Sequence, residues 1–329
     1  MTLRALIILL SCSILPIATP VGHASGIDVT EWQVPFPNSR PRDPFVDSKG
    51  TVWFCGQAGA YIANLDPSSG AFTQFPLEDG ANPHNLIIDQ QDRIWYAANT
   101  LPYIGRLDPN RGELKKYPMP LNSARDPHTL AFDSRGNIWF SAQWSNMIGK
   151  LDVESGEVKL FDLPQPGMRP YGISIDAKDR VWVALFGTSK LALIYPRSDS
   201  LQQIELPDRR SRPRRIEIGQ QGMIWYSDYR RGYLGRYNPV SGAFDEWQLP
   251  GDNQSRPYGM TIDHRNHIWL ADGNSPNRLV EFDPIKESFV SITEIGSAEG
   301  SIRHMIFDPK RNEIWFGQDS NYVSRLRLR

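Results

Sequence analysis

The chain has 329 residues, with 36 Lys and Arg against 37 Asp and Glu, a formal charge of −1, and two cysteines. A balance this close to neutral gives no electrostatic footprint for nucleic acid, and beyond residue 24 no run of about twenty apolar residues exists to span a membrane. Two cysteines exclude a disulfide framework, and a length that alone suggests two domains has to be weighed against any internal repeat.

Residues 1–24 read as a secretory signal: Arg4, an apolar stretch from Ala5 to Ile17, then Gly22-His23-Ala24 as a small-residue cleavage site. Leu9-Leu10-Ser11-Cys12 has the outline of a lipoprotein box, but the apolar stretch before Cys12 is short and continues past it, so simple cleavage is the expectation. Cleavage removes Arg4 and Cys12 and predicts a periplasmic or secreted chain. Cys55 remains, beside Trp53 and Phe54, as a small buried hydrophobe.

From there one pattern dominates. Trp53, Trp95, Trp139, Trp182, Trp225, Trp269 and Trp315 recur at spacings of 42, 44, 43, 43, 44 and 46 residues. Each lies in a short apolar run, and around it come short period-two runs cut by Asp-Pro, Asn-Pro, Ser-Gly and Arg-Gly turns, the mark of four brief strands per repeat. In the third repeat the strands are expected at Thr129 to Asp133, Asn137 to Ala142, Met147 to Asp152 and Val158 to Leu163. The fold class is all-β, a seven-bladed β-propeller of four-stranded blades occupying 25–329 as one domain, because a blade cannot bury both faces alone and a closed ring removes its edges. The seventh unit lacks a fourth strand. Thr30-Glu31-Trp32-Gln33-Val34-Pro35 copies Asp245-Glu246-Trp247-Gln248-Leu249-Pro250, so the N-terminal segment is expected to supply that outer strand and close the ring.

In such a ring the loop into each inner strand ends at the central axis. The residues after its turn proline are Phe45, His84, His128, Tyr171, Arg214, Tyr258 and His304, placing three of the six histidines together. Neutral imidazoles converging on one axis can bind a metal, shuttle a proton or hold a polar ligand. Arg42, Arg125, Arg169, Arg212 and Arg256 stand one or two residues before the proline, with Arg215 and Arg303 nearby, and make one face guanidinium-rich and suited to carboxylate, phosphate or polarised carbonyl groups. Asp43 and Asp126 directly precede a turn proline, Gln57, Asn99, Gln143, Asp228, Asp272, Gln318 and Asp319 end the second strands, and His264 and His267 sit in a polar turn as solvated side chains.

The repeat Pro-Tyr/His-Gly-Ile, a turn, Ile-Trp-Phe and Ile-Gly-Arg-Leu-Asp resembles the virginiamycin B lyase (streptogramin lyase) family over nearly all of 27–329. The resemblance implies a carbon–oxygen lyase that opens a cyclic depsipeptide by elimination across its ester, with magnesium polarising the substrate and a histidine as base. The family's site is a histidine in the slot after the turn proline, a Glu-Pro-His triplet in the next blade and a tyrosine in the blade after closure. Aligned linearly, this chain offers Ile302-Arg303-His304 and, in the preceding blade, Tyr258. Rotated around the ring, His84, Asp126-Pro127-His128 and Tyr171 reproduce the order, with Asp for Glu and Gln143 where a second carboxylate is expected. On this reading His128 is the base, Asp126 holds Mg2+ with water and carbonyl oxygens, and His84 and Tyr171 orient the substrate, while Arg42, Arg125, Arg169, Arg212, Arg214, Tyr258 and His304 bind it. Two alternatives stay open: a non-enzymatic periplasmic sensor or scaffold holding an anionic metabolite or a peptide end, and a calcium-dependent, gluconolactonase-like lactone hydrolase, for which the axis supplies few acids. Oligomeric state leaves no signal.

Overall fold

The structure is a computed structural model, and it describes residues 28–121, 123–251, 254–273, 277–295 and 300–328. The expected signal, residues 1–24 with Arg4 and Cys12, lies outside them. Seven four-stranded antiparallel sheets form in strict succession. Their innermost strands are Pro41–Val46, Pro83–Ile88, Pro127–Phe132, Pro170–Ile175, Pro213–Ile218, Pro257–Ile262 and Ile302–Asp308, and these begin blades 1 to 7. The third blade continues through Ile138–Ala142, Met147–Leu151 and Val158–Asp162, one or two residues from the expected bounds. Its inner strand starts earlier than expected because the proline opens it. A proline has no N–H to give a ladder, so it takes the first position, paired with Ala142, and the register shifts before Leu130.

The tryptophans hold the blades together. Trp139 of blade 3 packs on Ile173, Val181 and Val183 of blade 4, Trp182 on Ile216 and Ile224 of blade 5, and Trp315 of blade 7 on Val52 and Phe54 of blade 1. A buried indole N–H usually finds a hydrogen-bond partner. In five blades that partner is an aspartate six residues earlier: Asp47, Asp89, Asp133, Asp176 and Asp263 accept at 2.8–3.3 Å. The same carboxylate takes main-chain amides of its own turn, as Asp47 does from Lys49 and Thr51 at 2.9 Å, so one residue closes the turn and fixes the packing rotamer. Blade 5 has Gly219 at that position, and Trp225 Nε1 has no partner among the described residues.

Closure falls where the sequence places it. Asp28–Gln33 pairs with Tyr322–Arg327 along its whole length, completing blade 7 from the opposite end of the chain. Cys55 is fully buried and free.

Candidate functional site

At the face where the inner strands begin, the second residue of each strand forms a ring: Arg42, His84, His128, Tyr171, Arg214, Tyr258 and Arg303. Register fixes this set. Pro41 pairs with Gly56 and Ile302 with Gln318, as Pro83 pairs with Ala98 and Pro127 with Ala142. Two expectations therefore move. Blade 1 is framed by Pro41, not Pro44, so Arg42 takes the slot and Phe45 lies deeper, opposite Trp53. In blade 7 the proline position is Ile302, so Arg303 takes the slot and His304 falls in the next ring down with Asp43, Asn85, Thr129 and Arg215.

The slot residues touch one another. The rings of His84 and His128 have centroids 3.6 Å apart, and His128 lies 4.2 Å from Tyr171. The hydroxyls of Tyr171 and Tyr258 share a short hydrogen bond, and Arg303 Nη1 donates to Tyr258 at 3.2 Å. The Arg214 guanidinium stands 3.5 Å over the Tyr258 ring and 4.3 Å from Tyr229. Beneath them Arg215 donates twice to the carbonyl of Arg303 and lies 3.6 Å from Asp43, which also faces Arg42 at 3.8 Å and accepts from Asn85 at 2.8 Å. Arg303 forms a forked pair with Asp319.

Charge is unbalanced here. Arg42, Arg214, Arg215 and Arg303 meet two carboxylates, Asp43 and Asp319. The imidazoles do not add to the excess: burial, then neighbouring guanidiniums, hold His84 and His128 well below the usual histidine range, and burial with Arg215 brings His304 to about 3. Burial works against ionising Tyr258, yet Arg42, Arg214, Arg303 and Arg215 outweigh it and bring the phenol down to about 7; burial and Tyr258 itself push Tyr171 the other way. Within the hydrogen-bonded pair the guanidiniums thus make Tyr258 the more acidic phenol. His84 Nδ1, His304 Nδ1, two nitrogens of Arg42 and Asp43 Oδ1 are buried without a hydrogen-bond partner among the described residues, the signature of a polar site rather than a packed plug.

The other predicted residues sort by loop. Both oxygens of Asp126 are engaged by the loop after strand two, from the Trp144 amide at 2.5 Å and the Ser145 amide at 3.0 Å, with Ser145 Oγ as well. His128 Nδ1 meets Thr129 Oγ1 at 2.8 Å. Arg212 turns to the carbonyls of Arg209 and Ser211, Arg256 to that of Ser255, and Arg125 is exposed. Arg169 stacks 4.2 Å over Trp144, a residue the sequence reading passed over.

Magnesium prefers oxygen donors, several of them charged or water. With Asp126 bound to amides and Asp43 held between guanidiniums, the converging donors are imidazoles, phenols and guanidiniums, which fit an anion or a polarised carbonyl better than magnesium. The one group of three acids and histidines that converges among the described residues is elsewhere, Asp263, His267 and Glu281 at the far end of blade 6, and Arg265 already bridges its two carboxylates. His267 is bonded to Glu281 at 2.7 Å, not merely solvated as expected.

Below the slot ring the axis widens into a chamber of about 490 Å³ bounded by Phe45, Ile87, Arg215, Glu217, Thr261 and Ile306, among others. Glu217 pairs with Trp225 at the strand position that is Phe45, Ile87 or Ala131 in blades 1 to 3. Burial pushes its carboxyl up to about 7, with only Arg215 opposing. A carboxyl whose folded pKa is raised contributes fully below its ordinary value of about 4.3 and costs stability as pH rises through 7. Glu217→Gln is accordingly expected to raise the unfolding free energy by roughly 1–3 kcal/mol at pH 8 and to leave it unchanged at pH 4, read by urea titration.

Together these features define a seven-bladed propeller with a cationic, tyrosine- and histidine-lined site on its axis. The chain matches the virginiamycin B lyase family over residues 20–280 and belongs to it. Virginiamycin B lyase from Staphylococcus aureus superimposes with a TM-score of 0.84 at 22% identity, covering 92% of this chain and 100% of that one. A streptogramin B lyase gives 0.83 at 23%, covering 92% and 98%. The extracellular domain assigned to a hybrid two-component system of B. thetaiotaomicron gives 0.70 at 17%, covering 91% of this chain and 42% of that one. At these identities the likeness is one of fold. Among curated proteins none matches the sequence.

Proposed function

We propose that this chain is an exported carbon–oxygen lyase that opens an ester of a carboxylate- or carbonyl-rich small molecule on its axis, with guanidiniums in the electrophilic role that a metal plays elsewhere. The observation that carries the reading is the excess of Arg42, Arg214, Arg215 and Arg303 over nearby carboxylates, around a hydrogen-bonded Tyr171–Tyr258 pair. A general base works best with a pKa near the working pH, and the tyrosine pair meets that condition where the depressed imidazoles do not. In the proposed step the phenolate of the pair takes the proton α to a carbonyl. The C–H electrons become the new C=C bond, the adjacent C–O bond breaks, and the ester carboxylate leaves with its electron pair. No water is consumed. Arg303 and Arg214, already against Tyr258, stabilise the developing enolate and the departing carboxylate, and His84 and His128, neutral, orient the carbonyl.

The test is ring opening of a cyclic depsipeptide in ¹⁸O-labelled water, with and without chelator. The expected product is an unlabelled isomer of the substrate, formed equally in chelator, with kcat reduced about 100-fold or more in Tyr258→Phe and less in His128→Ala. Label in the product identifies hydrolysis, activity that chelator abolishes and magnesium restores identifies a metal-assisted reaction, and a larger loss in His128→Ala than in Tyr258→Phe makes the imidazole the base; each overturns the proposal. A second reading, a periplasmic sensor that binds an anion without turning it over, draws on the same guanidinium excess, and binding of carboxylates without turnover of any ester would establish it.

A further inference from the structure

We infer that the rim of blades 3 to 5 is a separate subsite for a planar aromatic group, so that the preferred ligands of the axial site are aryl-bearing carboxylates. The inference rests on the axis being where the ligand binds, but not on its being turned over.

Trp144 is 70% exposed. Among the described residues the other exposed large apolar side chains, Leu114, Leu121, Val240 and Ile285, are aliphatic. An indole left in water by accident is normally on a loose loop, and this one is not. Its amide and that of Ser145 are fixed on Asp126, and the next residue, Asn146, accepts from the amides of Met168 and Arg169 at 2.7 and 3.2 Å and donates to the carbonyl of Gln165 at 2.8 Å. Two loops are thereby bolted together so that one indole is presented at the mouth of the axis.

From it a single stack leads inward. The Arg169 guanidinium lies 4.2 Å from the Trp144 ring and 5.3 Å from Phe186; Arg214 lies 4.7 Å from Phe186 and 3.5 Å from Tyr258. Among the described residues no carboxylate pairs with Arg169 or Arg214. Flat faces hold the Arg169 guanidinium in place without neutralising it, which leaves its in-plane donors for an anion, while Arg214 carries the stack on to the tyrosine pair. A ligand whose ring covers Trp144 and whose carboxylate lies one or two bonds away satisfies both demands.

The probes are acetate, cyclohexylacetate and phenylacetate, with Kd measured by calorimetry. Wild-type protein is expected to prefer phenylacetate to cyclohexylacetate by about 3- to 10-fold, the scale of one aromatic pair. Trp144→Ala should erase that preference and weaken phenylacetate several-fold more than acetate, which feels only the loosened Arg169, Trp144→Phe should keep most of the preference, and Arg169→Gln should weaken all three. Equal loss for all three probes in Trp144→Ala would show that the indole only props the loop, and no difference between the two ring compounds on wild type would end the proposal. Binding is read without turnover, so an inactive protein that still discriminates, or an active one that does not, separates this inference from the lyase.

Discussion

A chain beginning at Pro35 is expected not to fold to the native ring: it should lose its cooperative thermal transition and aggregate. The missing segment is Asp28–Gln33, whose removal strips Tyr322–Arg327 of its whole outer partner and leaves a six-residue edge strand open to other chains. More than backbone pairing goes. Trp32 stacks on Trp315 at 5.4 Å, Gln318 donates to Glu31 at 2.7 Å, and Arg325 lies 5.3 Å over Trp32 while donating to Thr30. Trp315 is the indole that packs blade 7 on blade 1, so exposing it loosens the seam at which the ring is joined. Trp32→Ala isolates the side-chain part and, because the indole is only partly buried, should cost about 1–3 kcal/mol by urea unfolding. A peptide of residues 28–35 added to the truncated chain should restore the transition in a concentration-dependent way, since closure is then bimolecular. A truncated chain with an unchanged melting curve would mean that the ring does not depend on this strand.

How much of this was legible in the sequence follows from how local each cause is. The tryptophan spacing, the turn aspartates and the copied Glu-Trp-Gln strand each report a packing demand carried by one residue and its near neighbours, so the blades and their closure could be read off. The axis could be read only in part. His84, His128, Tyr171, Arg214 and Tyr258 follow an unambiguous proline, but blade 1 has both Pro41 and Pro44, and blade 7 has Ile302 where proline stands elsewhere. Pairing across the sheet, which sequence does not display, decides those frames. The carboxylates were harder still. Asp126 reads as a ligand two residues before His128, yet it binds the amides of Trp144 and Ser145; in blades 5 and 6 the same two loops are joined from the other side, by Asp228 on the Arg212 amide and Asp272 on the Arg256 amide. An acid on either side of one loop pair is a structural choice visible only when the loops are seen together. Trp144 and Glu217 did carry a signal, a large indole outside the repeated position and an acid at a strand position held elsewhere by Phe45, Ile87 and Ala131.

Asp43 is the residue on which the axial charge turns, and Asp43→Asn should cost about 3–5 kcal/mol at pH 7, although the substitution preserves shape and the bond with Asn85 can re-form through the amide oxygen. Its side chain is fully buried between Arg42 and Arg215, which are themselves almost fully buried. Removing the charge leaves two desolvated guanidiniums with Gln57 and the carbonyl of Arg303 as their remaining acceptors. Burial alone would raise the Asp43 pKa, but His304, Arg215 and Arg42 outweigh it and hold the carboxyl below the usual range. A depressed folded pKa contributes stability that is present above the unfolded value of about 3.9 and lost as pH falls through the folded one. The gap between wild type and Asp43→Asn should therefore be complete at pH 7 and narrow below about pH 4. Urea titrations of both proteins at pH 7, 5 and 3.5 read this directly. A constant gap across the three would assign the cost to lost packing and not to charge. Loss of Asp43 also removes a negative charge held against Arg42 and Arg215, two of the guanidiniums that lower the Tyr258 pKa, so the same variant, where it still folds, should titrate Tyr258 lower than wild type by ultraviolet difference absorbance, tying the stability of the axis to the acidity of the group proposed to act there.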